Sequence, residues 1–173
     1  MNKILGLGIV LVGIITLSAF GTSGPSNTLV KFNGGIGVDP ISNVIVSGST
    51  VTAHPNVVRG INPPGQIWRI ADLDAKASTD GRIRVRGRGL LLAGGDGIGT
   101  TAGLSVFATL FCGPPASATP FSSNPVGVAL DPDGDFTIDD VLSPLPPNPC
   151  DAPVLLIRLT IGTQPWFAAG IEK

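Results

Sequence analysis

The stretch that decides the fold is Asp72-Leu73-Asp74-Ala75-Lys76-Ala77-Ser78-Thr79-Asp80-Gly81-Arg82-Ile83-Arg84-Val85-Arg86-Gly87-Arg88. Both halves alternate small or apolar residues with charged ones, the period of a half-buried strand. Ser78-Thr79-Asp80-Gly81 between them is turn chemistry. Four of the seven arginines stand at every second position, so an extended backbone puts them on one face. Loop length then selects the register. A two-residue Asp80-Gly81 loop sets arginines against Ala77, Ala75 and Leu73. A three-residue Thr79-Asp80-Gly81 loop, with Gly81 left-handed, sets Arg88 against Asp72 and Arg86 against Asp74. It also puts Ala77 against Ile83, Ala75 against Val85 and Leu73 against Gly87. The second register keeps charge with charge and apolar with apolar, and burying a guanidinium among alanines costs more than a cross-strand pair contributes. We therefore expect the three-residue loop. It leaves Arg82 opposite Ser78 and Arg84 opposite Lys76, a basic tip with no acid in this hairpin.

Val126-Gly127-Val128-Ala129-Leu130-Asp131, Pro132-Asp133-Gly134 and Asp135-Phe136-Thr137-Ile138 use the same device. The expected pairs there are Leu130 with Phe136 and Val128 with Ile138. Further candidate strands cover 28–32, 43–47, 50–53, 57–61, 104–111, 154–161 and 166–171. The runs at 104–111 and 154–161 are almost continuously apolar, as in strands buried on both faces. The chain holds 24 Gly and 16 Pro and very little Glu, Gln, Lys or Met, which disfavours helices. The expectation is an all-β antiparallel β-sandwich of about 8–10 short strands.

At the other end of the argument, Lys3 precedes an apolar run from Ile4 to Phe20, with Ala19 and Gly21 as the small residues of a cleavage site. That is the pattern of a signal peptide over 1–21, followed by a flexible leader over 22–27 and one domain over 28–173. Phe20 stands where a lipoprotein cleavage box needs cysteine, so no lipid anchor is expected. The protein is read as exported, periplasmic or extracellular, with no membrane span after cleavage. Cys112 and Cys150 are then expected to form a disulfide.

Loss of Lys3 with the leader leaves ten basic against twelve acidic residues, so nucleic acid is not an expected partner. The catalytic inventory is thin. His54 is the single histidine, Glu172 the single glutamate, and tyrosine is absent. No Gly-x-Ser-x-Gly elbow nominates a nucleophile. Gly94 to Gly103 is glycine-rich, but a strand follows it where a phosphate loop needs a helix. Asp131, Asp133 and Asp135 are a weak calcium candidate. Their glycine and their acid spacing miss the EF-hand pattern, and turn chemistry already accounts for Asp133-Gly134. Trp68, by its parity with Asp72 and Asp74, is the candidate for stacking on a sugar ring. No cofactor is expected. The reading that emerges is an exported, non-enzymatic module for binding, adhesion or envelope structure, with an unknown extracellular polymer or envelope component as partner. The alternative is an anionic-polymer or carbohydrate binder working through Arg82, Arg84, Lys76 and Trp68. A secreted hydrolase is the distant third.

Overall fold

A computed structural model describes residues 27–173. The expected signal peptide over 1–21 and most of the expected leader over 22–27 lie outside the described residues. Asn27, the last leader position, is tied to the body, because Thr79 donates from its amide and its hydroxyl to the Asn27 backbone and side-chain oxygens. No helix forms among the described residues; thirteen strands do. In chain order they are β1 (Thr28–Gly37), β2 (Ile41–Ser47), β3 (Thr50–Pro55), β4 (Trp68–Arg69), β5 (Asp72–Ser78), β6 (Arg82–Arg88), β7 (Leu91–Leu92), β8 (Ser105–Cys112), β9 (Thr119–Ser122), β10 (Val128–Ala129), β11 (Phe136–Val141), β12 (Val154–Leu159) and β13 (Trp166–Glu172).

The β5–β6 register pairs Asp72 with Arg88, Asp74 with Arg86, Ala75 with Val85 and Ala77 with Ile83. That is the three-residue loop, with Gly81 at φ +85°. Leu73, Ala75, Ala77, Ile83 and Val85 face the core while the charged residues face out. Gly87 is there for space. A Cβ on it would lie 2.1 Å from the Phe136 ring, which packs flat over it from β11.

All pairings are antiparallel. One sheet of nine strands runs β10-β8-β12-β13-β1-β5-β6-β11, with β9 sharing the β10 edge of β8. The expected sandwich is realised as a sheet that curls until its ends almost meet, and both ends contribute to one core cluster. At one end of the seam the Pro132-Asp133-Gly134 turn joins β10 to β11, closed by Asp131 N to Asp135 O at 2.9 Å. At the other end Ser122 and Ser143 exchange two backbone hydrogen bonds. Between these points the seam is unzipped. Val128 pairs with Val106 and Ile138 with Val85, so the expected Val128–Ile138 and Leu130–Phe136 ladder does not form. The turn was read correctly, but its strands pair on their outer sides.

Cys112 and Cys150 form the expected disulfide, with Cα atoms 5.0 Å apart. Arg59 straps it. Its guanidinium donates to Gly113 O (3.0 Å) and Ala152 O (2.8 Å), one and two residues beyond the two cysteines. The candidate strand over 57–61 is in fact a tight turn, with Arg59 and Gly60 both left-handed and Val58 bridged to Ile61. Burial holds the half-buried Arg158 below the usual arginine pKa; its guanidinium lies over the Phe107 ring.

Candidate functional site

The outer face of β1, β5, β6 and β11 carries the arginine row, and the structure redistributes its partners. Arg88 donates to Asp72 at 2.6 Å, as the register implies. This ion pair lowers the Asp72 pKa and raises that of Arg88. Arg86 faces Asp74 without closing an ion pair. The expected acid-free tip is corrected by a third strand. Asp139 of β11 lies beside Arg84 and accepts from its Nε at 3.1 Å and from its Nη2. The Arg84 hydrogen bond holds Asp139 below the usual carboxylate range. Arg82 lies 3.7 Å from Asp80 of its own turn. What is left unpaired is different: Lys31, Lys76 and Arg84 stand side by side across three strands, and Asp139 neutralises only the last. Like charges directly opposite one another destabilise a sheet, so this row is a cost the fold carries.

Trp68 does not belong to that face. The chain bends at Ile70-Ala71, so parity with Asp72 is broken, and β4 pairs with β7 in a separate two-stranded sheet. Trp68 is 4% exposed and stacked on Phe167, ring centroids 4.4 Å apart, which removes it as a sugar platform. At the calcium candidate, Asp133 accepts from the Asp135 amide within the turn, and Asp135 accepts from the Gly89 amide just beyond β6. No group of acids, histidines or cysteines suited to a metal forms among the described residues.

A groove of about 680 Å³ runs along the seam and is lined by Asp72, Asp74, Arg86, Arg88, Asp131 and Asp135 among others. Its lining brings together four carboxylates, two guanidiniums and the hydroxyl of Thr137, and it contains neither Ser, Cys nor His. Among the described residues, no buried side-chain nitrogen or oxygen lacks a hydrogen-bond partner. The core therefore holds no unpaired polar group waiting for a ligand.

The feature that stands out instead is β2–β3. This hairpin pairs with nothing else in the sheet topology, and every one of its residues is exposed. A two-residue Gly48-Ser49 turn closes it, pairing Ser47 with Thr50, Val46 with Val51, Ile45 with Thr52 and Val44 with Ala53. Paired residues share a face, and successive pairs alternate. One face therefore carries Val44, Val46, Val51 and Ala53. The other carries Ile45, Thr50, Thr52, Asn43 and His54. Val46 and Val51 are each 66% exposed. From Pro40 to Val58 the chain has no Asp, Glu, Lys or Arg.

An isolated two-stranded hairpin is marginal in water, so its root matters. Asp39 accepts from the Ile41 amide through its carboxylate, and its backbone oxygen accepts from the Asn56 side chain at 3.0 Å. Asn56 donates its amide to Pro40 O, and its own carbonyl accepts from the indole of buried Trp166 at 2.9 Å. The arm is thus anchored to β13 at the centre of the sheet while its length stands in solvent. Sequence reasoning treated 43–47 and 50–53 as ordinary body strands; the signal available was the uncharged run, which a solvent-facing hairpin rarely has. No protein-family model matches this chain, and no curated protein or solved structure is similar to it.

Proposed function

We propose that this is an exported, non-catalytic interaction module, in which a disulfide-pinned curled sheet presents the β2–β3 arm to a protein surface. The observation that carries the reading is the arm itself: an apolar face of Val44, Val46, Val51 and Ala53 left fully in solvent by a body whose core is otherwise closed. Exposed apolar surface of this kind marks interaction sites in folded proteins. The test compares the parent with Val46→Lys/Val51→Lys for binding to the envelope fraction of the producing cells. Parent-only binding supports the module. Equal binding by both, or hydrolase turnover that a single substitution abolishes, overturns it.

A second reading is favoured by one specific observation, the Lys31–Lys76–Arg84 row with a single neutralising acid. Such a row suits a sulfated or phosphorylated polymer. Retention on a sulfated matrix should fall with rising salt, because screening weakens exposed charge contacts. Lys31→Ala/Lys76→Ala should elute at lower salt than the parent; elution at the same salt eliminates this reading.

A further inference from the structure

We infer that the arm's occupant is the arm of a second copy of this chain, joined through the free edge of β2 to make a four-stranded β3-β2-β2′-β3′ sheet. The inference rests on the interaction-module reading and names its partner.

Three observations carry it. The first is the backbone. Each arm strand is bonded on one side only, so the outer edge of β2 presents N–H and C=O groups that no other strand pairs over Asn43–Ser47. Folded proteins blunt such edges with lysine, proline, bulges or inward charges; Pro40 and a bulge at Ser42 close the root of β2, and none of these devices lies inside Asn43–Ser47. The β3 edge ends in Pro55, which has no N–H, so β2 is the edge built to accept a strand.

The second is charge. Recognition of an unlike protein gains selectivity from complementary charges, and a neutral run from Pro40 to Val58 has none to offer. It also has none to repel its own copy. A twofold contact sets each residue against its own equivalent or a near neighbour, which an uncharged strand tolerates.

The third is the side-chain pattern. Antiparallel pairing of two β2 strands centred on Val44 sets Val44 against Val44′ and Ser42 against Val46′. The apolar row then runs Ala53-Val44-Val44′-Ala53′ on one face of the joint sheet. A bilayer would not suit this arm, since both free edges would be left unbonded in hydrocarbon. The arm also lacks the Trp, Tyr, Lys or Arg that anchor peptides at a membrane interface. One strand-to-strand contact buries less than the about 1,200 Å² of a stable complex, so the dimer is reversible.

The experiment is sedimentation velocity on the folded, disulfide-intact protein from micromolar to near-millimolar concentration. The parent should shift from monomer to dimer, with no larger species. Val44→Lys sets two ammonium groups face to face and should weaken dimerisation about ten-fold while leaving the melting temperature of the body unchanged. Val44→Cys should be joined into a covalent dimer by a short bis-maleimide on a denaturing gel, since directly opposed Cβ atoms lie about 5 Å apart. A parent that stays monomeric throughout overturns the inference, as does a dimer indifferent to Val44→Lys and not trapped by Val44→Cys. Binding of the parent to neutral lipid vesicles in place of self-association also overturns it. A monomeric parent whose envelope binding is still lost in Val46→Lys/Val51→Lys removes the self-pairing alone and leaves the interaction module standing.

Discussion

Gly87→Ala isolates the contact that lets β11 join the sheet. The position is not left-handed, so the added methyl meets no backbone strain. It meets the Phe136 ring instead, at 2.1 Å from Cε1 and 2.2 Å from Cζ. Phe136 is 5% exposed and held within the core, so the ring can retreat only by displacing its neighbours. Overpacking of this kind costs about 1–3 kcal/mol. Replacing a strand glycine returns about 0.5–1 kcal/mol through the unfolded chain, leaving a net loss of about 1–2 kcal/mol. For a domain of this size that is a fall in Tm of about 3–8 °C. The assay is thermal and urea unfolding of the parent, Gly87→Ala, Phe136→Leu and the double variant. Phe136→Leu alone should destabilise by leaving a cavity, and Gly87→Ala on that background should cost far less than it does on the parent. A coupling of at least about 1 kcal/mol is expected. A Gly87→Ala protein that melts at or above the parent refutes the packing argument. Additivity within about 0.5 kcal/mol would do the same.

Replacing Cys112 and Cys150 with alanine reopens a loop of sequence separation 38 and should cost about 4 kcal/mol on the chain-entropy account, read as a lower urea midpoint; an unchanged midpoint refutes the pinning role. Arg59→Ala should cost about 1–2 kcal/mol and speed amide exchange at Gly113, whose N–H is bonded to Asp151 O beside the strap; unchanged exchange there refutes it. Arg84 depresses the Asp139 pKa, so the stability this pair contributes is present above the ordinary carboxylate pKa and lost as pH falls through the lower folded value. The stability difference between parent and Asp139→Asn should therefore close in acid, and also in high salt. A difference constant down to strongly acidic pH would show that the ion pair is not its source.

How much of this was legible beforehand follows from the range of each interaction. The β5–β6 register could be read because a short turn limits the alternatives to two, and the side-chain alternation rejects one of them. The Pro132-Asp133-Gly134 turn was legible for the same local reason. Its ladder was not, since nothing near the turn says that β10 will pair with β8 and β11 with β6. Asp139 was missed as the partner of Arg84 because 55 residues separate them. A clue existed: with Phe136 and Ile138 facing inward, Asp139 faces outward beside an arginine row short of acids. Trp68 was misplaced because period-2 counting assumes an unbroken strand, and the bend at Ile70-Ala71 resets the count. The arm was visible only as an uncharged run, and only the topology shows that the body leaves it uncovered.

The place of β13 in the sheet has a consequence for the order in which the molecule can be made. Among the described residues, Trp166–Glu172 lies between β12 and β1 and carries the long ladders that join the two halves of the curl, whose other ends meet at the single Ser122–Ser143 bridge. Without those residues, β10, β8, β9 and β12 on one side and β1, β5, β6 and β11 on the other share no ladder longer than the Ser122–Ser143 bridge. A growing chain can form hairpins but not the closed core. The long-range ladders of β13 therefore form only when nearly all of residues 27–173 are available to fold, and they bring the two halves and the root of the arm together.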